Sequence, residues 1–458
     1  MAAKERTRVA IAGGGPAGMF LGLLLARGGI EVMVLEKHAD FLRDFRGDTV
    51  HPSTMTLLDE LGLGPAFEAL PQRRITWVGA DLDSGPAQLG DLSRLHGPRN
   101  YIALVPQWDL LELLADAASK EPSFRLLREA EVTGLLHGNT SQSSAPGGSV
   151  PGSADDRAAE DGGRVTGVVW RSRAKDGERG QRGQDEDHGR DSRPEHRLEA
   201  DLVVACDGRG STVRAAAGLR PASFGVPMDV WWFRIPRKPN DPEGALGRIH
   251  RGQFLIMIDR GDYWQCGYII RKGADAKLRS EGIAAFRARL AEAQPWLADR
   301  LGQAPASFDD VKLLDVRLDR LARWHLPGFL AIGDAAHAMS PVGGVGINLA
   351  VQDAVAAARI LRPALANGGP VPEASLQSVQ RRRWWPTVLI QGLQQLAHRG
   401  VVGKVLDEDA VHGSDWTTSA RSPLPLRLLD ALPALRAVPA RLVGIGPLPE
   451  HAPGWARR

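Results

Sequence analysis

Gly13, Gly15 and Gly18 stand in G-x-G-x-x-G spacing inside GGGPAG, between the β-branched apolar run Arg8 to Ala12 and the helical run Met19 to Arg27. That spacing serves phosphate chemistry. Gly13 permits a tight turn, Gly15 lets backbone approach a pyrophosphate, and Gly18 lets helix close on strand. The helix N-terminus then presents N–H groups and the positive end of its dipole to the phosphates. Gly28-Gly29 end the helix, the β-rich run Ile30 to Leu35 follows, and Glu36 closes it eighteen residues past Gly18. An acid there accepts from ribose hydroxyls and disfavours a 2′-phosphate, so the expected dinucleotide is FAD or NAD rather than NADP.

A second constellation runs from Gly328 to Ala350, GFLAIGDAAHAMSPVGGVGINLA. An apolar strand runs into Gly333-Asp334, then Pro341 and three glycines precede a helix expected from about Asn348 to Leu361. Asp334, at a strand end, is placed to hold a polyol hydroxyl. The turn Gly343-Gly344-Val345-Gly346 offers N–H groups at a helix N-terminus, which favours negative charge. The plain alternative is a βα turn with Asp334 as its cap. A third motif, Ala205 to Arg214 (ACDGRGSTVR), again ends a strand at Asp-Gly. Either Ser211 merely caps the next helix, or Asp207 contacts cofactor and reductant.

Taken in order and spacing, these motifs resemble the single-component FAD monooxygenases related to para-hydroxybenzoate hydroxylase and the ubiquinone-biosynthesis hydroxylases, over roughly residues 7 to 365. The resemblance implies FAD as cofactor and NADH or NADPH as a transient reductant. It likens Gly13, Gly15, Ala17 and Gly18, with Glu36 and Lys37, to the family's ADP-binding residues. Asp207 is similar to the acid linked to both FAD and pyridine nucleotide, and Asp334 to the one on the ribityl chain. Pro341 would lie near the flavin C4a/N5 edge. Gly343, Gly344, Val345, Gly346 and Ile347, with Asn348, would lie beside the pyrimidine end. Pro341 and Gly346 are thereby the implied catalytic environment. Arg46 in RGDTVHPSTMTLL and Gln107 in VPQWDLLELL resemble positions that contact FAD.

The elements that must position these residues read as an α/β protein. A Rossmann-type FAD-binding domain of the three-layer ββα kind is expected over 1–75, 101–218 and 325–365. It is interleaved with a mixed-sheet substrate domain (76–100 and 219–324), and a helical C-terminal region covers 366–458. Helical patterns recur at Pro52 to Leu61 and Trp108 to Ala118, and strands at Arg164 to Arg173 and Glu199 to Ala205. Residues 138–163 and 174–197 are rich in Gly, Ser, Asp, Arg and Gln, too polar to offset ordering entropy, and are expected to be disordered insertions. The middle block alternates as strands at Val230 to Ile235, Gln253 to Asp259 and Tyr263 to Arg271, before a helix at Gly282 to Ala293. Four of the twelve Trp (Trp231, Trp232, Trp264 and Trp296) fall within it, so it suits the wall of a pocket for a flat apolar ligand. Trp231, Trp232, Phe233, Phe254, Tyr263 and Trp264 are the aromatics available to exclude water, although each taken singly reads as core sooner than pocket, since a strand puts alternate side chains on opposite faces.

The chain of 458 residues is 43% hydrophobic and 24% charged, with a formal net charge of +3. That size calls for more than one core, and so small a surplus, scattered apart from Arg381 to Arg383, says little for nucleic acid or anionic membranes, so no nucleic-acid partner is expected. Two cysteines, Cys206 and Cys266, make no disulfide framework, and no Cys/His spacing reads as a metal site, which fits a reducing, cytoplasmic setting. No signal peptide and no transmembrane segment are expected; the Leu/Pro/Arg-rich stretch Pro423 to Pro449 is able to lie on a membrane surface, but its repeated prolines favour short helices docked on the core. The chain is expected to be a monomer or homodimer.

What the resemblance implies for mechanism is reduction of FAD by NAD(P)H, addition of O2 to give a C4a-(hydro)peroxide, and attack on it by an electron-rich aromatic ring. The protein binds, orients and excludes water, because the hard chemistry belongs to the cofactor. The residues identify no substrate base. His51, His250 and Tyr263 are able to deprotonate a phenol, and each reads equally as a structural residue; His337 reads as fixing its turn. An FAD-dependent reductase or dehydrogenase on the same scaffold is the alternative. A halogenase is less well supported, because Phe233 replaces the second Trp of W-x-W-x-I-P and no lysine lies between Lys37 and Lys120.

Overall fold

The computed structural model describes residues 5–42, 49–83, 85–138, 163–173, 193–242, 245–406 and 432–458. Arg46 and both expected insertions, apart from their edges, lie outside these residues.

The apolar runs that precede each motif become neighbouring strands of one eight-stranded sheet. Glu5–Ala12 pairs in parallel with Glu195–Ala205 on one side and Val32–Leu35 on the other, Glu195–Ala205 pairs in parallel with Phe329–Ala331, and Val32–Leu35 with Phe124–Leu127. These strands are buried along most of their length, so they read as continuous apolar runs. Strands Ala130–His137 and Val165–Ser172 make the antiparallel excursion beside them.

Two helices cover the sheet and pack on each other, Pro16–Arg27 and Gly346–Ala366. The first is buried almost throughout, and its close approach depends on Gly18, where an added Cβ would fall 2.0 Å from the Gly13 carbonyl oxygen. The second begins two residues earlier and ends five later than its expected bounds. With its preceding turn it forms a helical stretch, Val342–Ala366, that by length and composition is apolar enough to cross a membrane, against expectation. Of its most apolar window 72% is buried inside the protein, so the same composition serves as core.

The middle block forms a seven-stranded mixed sheet, joined at one edge by Trp77–Leu82 and Gly85–Asp91. Alternation sorts its aromatics onto two faces. Trp231, Phe233, Trp264 and Tyr268 pack under the helix Ile283–Ala293 as a core, whereas Trp232, Phe254 and Ile256 lie on the other face with Val342 and Val402. Beyond Ala366, the long helix Glu373–Ala397 and the short helix Ala437–Gly444 return to the central turns.

Candidate active site

The strand register brings the three motifs to one edge. Ala12 sits opposite Ala205, Ala205 opposite Ala331, and Ala12 opposite Leu35, so Gly13, Asp207, Asp334 and Glu36 all leave the carboxyl ends of adjacent parallel strands. Ligands of open α/β sheets bind at such an edge. The first and second constellations touch: a Cβ on Gly333 would lie 3.3 Å from the Ala17 side chain and 3.1 Å from that of Ala350.

Within GGGPAG the three glycines differ in what surrounds them. Gly13 turns at φ 103°, where a Cβ would strike the Cys206 carbonyl at 2.5 Å. Gly15 has nothing within 4 Å of its Cβ position, so its backbone faces open space at the start of the Pro16–Arg27 helix. That cradle, with first-turn N–H groups unpaired by construction, fits a pyrophosphate. Glu36 is buried and accepts from Gly14 N at 2.8 Å and His38 N at 3.1 Å, which fixes it at the edge of the cradle. Lys37 is exposed, and Gln107 is half-buried at the first position of the helix Gln107–Ser119.

Asp207 spends its carboxylate locally. Its oxygens accept from Ser211 Oγ at 2.5 Å and Val213 N at 3.2 Å, and Ser211 Oγ in turn accepts from Arg214 N. Burial nevertheless pushes the Asp207 carboxyl up. Two arginines of the same motif connect it to the next one: Arg209 Nη2 lies 3.5 Å from Asp334 Oδ2, and buried Arg214 donates to the Ala335 carbonyl at 3.0 Å. Sequence reasoning singled out neither; their spacing after Asp-Gly was the only signal.

Gly333, Gly343 and Gly344 all hold positive φ, at 58°, 81° and 64°, which lets the chain reverse twice around Pro341. This double turn is anchored from three directions. Asp353 Oδ2 accepts from Gly333 N at 3.1 Å and pairs with His337 Nε2 at 2.6 Å, while Arg383 donates to its Oδ1 at 3.0 Å. All three side chains are buried. Burial drives the Asp353 carboxyl up, but His337 and Arg383 outweigh it and hold the group below the usual carboxylate range. Gln394 donates to the Ser340 and Val342 carbonyls, and Ser340 Oγ meets His398 Nε2 at 2.8 Å. Ser53 and Thr54 donate to Asn348 Oδ1 at 2.7 and 2.8 Å. The side-chain oxygen of Asn348 thus serves packing, and its Nδ2 and backbone remain for a ligand. Pro341 and Gly346 are half-buried at the mouth of this turn.

The candidate bases fall away from the turn or behind it. His250 pairs with Asp83 at 2.7 Å on the helix-covered face of the seven-stranded sheet. Tyr263 lies under the Arg234 guanidinium, 4.7 Å from its centroid. His51 is buried against backbone carbonyls. Of the six aromatics considered for the pocket, Trp231, Phe233 and Trp264 belong to the helix-covered core, and only Trp232 and Phe254 share a cluster with Val342. A Cβ on Gly267 would sit 3.2 Å from the Trp232 ring, so the glycine makes room for the indole. Among the described residues the Trp232 Nε1–H is buried without an acceptor, whereas Trp231 and Trp264 donate to Asp275 and Asp241.

Over residues 6–152 and 166–383 the chain matches the FAD binding domain family. It is 31% identical over 440 residues to 6-methylpretetramide 4-monooxygenase of Streptomyces rimosus, covering 95% of this chain and 92% of that protein. With the 12-dehydrotetracycline 5-monooxygenase/anhydrotetracycline 6-monooxygenase of Streptomyces rimosus subsp. rimosus it shares 28% identity over 397 residues, 82% of this chain and 67% of that one. Among solved structures, P. aeruginosa PqsL in complex with 2-aminobenzoylacetate superposes with a TM-score of 0.66 at 20% identity, over 89% of this chain and 99% of that one. That last likeness is one of fold.

Proposed function

The chain belongs to the FAD binding domain family as an FAD-dependent aromatic monooxygenase, and from that premise we propose that it hydroxylates a hydrophobic polycyclic aromatic using NADH or NADPH and O2. What supports this reading most is the register that puts Gly13, Glu36, Asp207 and Asp334 at one sheet edge, ahead of a helix N-terminus at Gly346. The tetracyclic substrates named for the relatives suggest the substrate class.

When bound, FAD would supply the hydride-accepting and oxygen-activating chemistry, while the chain binds, orients and keeps water out. Gly13, Gly15 and Gly18 would open the Pro16–Arg27 helix to the pyrophosphate, and Glu36 would hold the ribose. Asp334, with Arg209 beside it, would hold the ribityl hydroxyls. The positive end of the Gly346–Ala366 helix stabilises negative charge on the pyrimidine side. Trp232 and Phe254 wall the substrate side. Asp207 acts through the turn it holds rather than through free carboxylate oxygens. In this reading the described residues of 1–75, 101–218 and 325–365 form the FAD side and those of 76–100 and 219–324 the substrate side, and the helices Glu373–Ala397 and Ala437–Gly444 brace the turn between them.

The test is anaerobic stopped-flow mixing of the FAD-loaded protein with NADH or NADPH across a panel of phenols and polyketide-like aromatics, followed by O2. A bound aromatic is expected to accelerate flavin bleaching, and O2 to give hydroxylated product after a transient flavin–oxygen absorbance. Direct return to oxidised flavin without product assigns the chain to reductase or dehydrogenase chemistry instead. A colourless protein that takes up no added FAD refutes the reading at its root.

A further inference from the structure

His51 precedes the helix Pro52–Glu60, has 0% of its surface exposed, and sets each ring nitrogen against a carbonyl oxygen. Nδ1 lies 2.8 Å from the Val443 oxygen and Nε2 3.0 Å from the Gly344 oxygen. A neutral imidazole has a single N–H, so it satisfies one carbonyl and turns a bare lone pair on the other. Only the imidazolium donates to both. The Gly344 carbonyl is held in that direction, because Thr49 Oγ1 also donates to it at 3.0 Å.

What opposes the charged ring is burial without a counter-ion, which pulls His51 down to about 4 although both carbonyls pull upward. Among the described residues no charged side chain bonds to it. The charged groups on the surrounding elements are engaged elsewhere or exposed: Asp59 with Arg99, Glu60 with His451, Asp353 with Arg383, and Arg441 outward. The site therefore has two acceptors in place for a cation and lacks only a nearby negative charge. In the reading proposed above, on which this inference rests, such a charge arises beside Gly343–Gly346 whenever the flavin is reduced.

We propose that His51 takes up a proton when the bound flavin is reduced, so that an imidazolium forms behind the Gly344 carbonyl opposite the charge of the reduced ring. The balance is two electrons and two protons. A hydride from the nicotinamide carries both electrons and one proton to the flavin, which gains one negative charge, and solvent supplies the second proton to His51. The two steps together leave no net charge buried.

Spectroelectrochemical titration of the FAD-loaded full chain from about pH 5 to about pH 7 tests this. One proton per two electrons moves the midpoint by about 30 mV per pH unit, and two protons by about 59 mV. The wild type is expected to follow the steeper slope while showing the absorbance of anionic reduced flavin, and His51→Gln to fall to the shallower one. A wild-type slope of about 30 mV overturns the proposal, as does a steep slope unchanged in H51Q or accompanied by the spectrum of neutral reduced flavin. Should H51Q not fold, nitrogen NMR of the wild type decides: both His51 ring nitrogens must move to imidazolium shifts on dithionite reduction, and unmoved shifts refute it. Failure to load FAD refutes the earlier reading and this one together.

Discussion

Asp353 carries the tightest constraint on the Gly-Asp turn. It is fully buried, sees the imidazole of His337 and the guanidinium of Arg383, and accepts from Gly333 N one residue ahead of Asp334. Removing one partner of a buried ion pair strands the other, so Asp353→Ala is expected to destabilise the fold by about 3–5 kcal/mol. A denaturant titration of the purified variant against wild type measures it; a loss under about 1 kcal/mol would show that the network is dispensable. Because the Asp353 pKa is depressed, its contribution is complete above the ordinary carboxylate range and fades as pH falls through the lowered value. Neutral and mildly acidic buffers should therefore give the same mutational difference, and strongly acidic ones a smaller difference.

The Gly-rich opening of the Pro16–Arg27 helix separates packing from binding at the scale of one element. Gly18→Ala puts a methyl 2.0 Å from the Gly13 carbonyl, in backbone that cannot yield, so helix and strand must part and the protein is expected to be recovered unfolded or aggregated. Gly15 is different: its φ of −75° and ψ of −176° suit any residue, and its Cβ position is open. Gly15→Ala is expected to leave the melting temperature of the apoprotein unchanged while lowering FAD affinity at least about tenfold, or about 1.4 kcal/mol, by keeping the pyrophosphate off the backbone. Equal flavin occupancy in Gly15→Ala and wild type would remove Gly15 from the site.

Across the whole molecule, the hairpin Ala130–His137 and Val165–Ser172 is closed by its own backbone: Gly138 N donates to Arg164 O at 2.9 Å, and His137 is opposite Val165. Gly138 and Arg164, which flank residues 140–161 in the chain, are thus adjacent. Deleting residues 140–161 is expected to preserve the melting temperature within a few degrees, along with FAD content and NAD(P)H oxidation, as read by thermal melts and flavin absorbance. Loss of folding would mean that the segment contributes contacts to the core.

The sequence by itself determined the α/β class, the FAD cofactor and the family, because glycine spacing and strand-ending acids are local demands of backbone geometry. The strands around each motif were legible for the same reason: period and β-branching are written within a few residues. The tertiary structure alone decided what each motif residue touches. That Asp207 binds its own turn, that Asn348 is held by Ser53 and Thr54, and that Trp231 and Trp232 face opposite layers depend on packing between segments far apart in the chain. The same holds for Asp353, Arg383 and His51, whose partners come from residues 333, 337, 344 and 443. Neighbours fix a backbone turn, but a buried charge is set by whatever the fold brings against it.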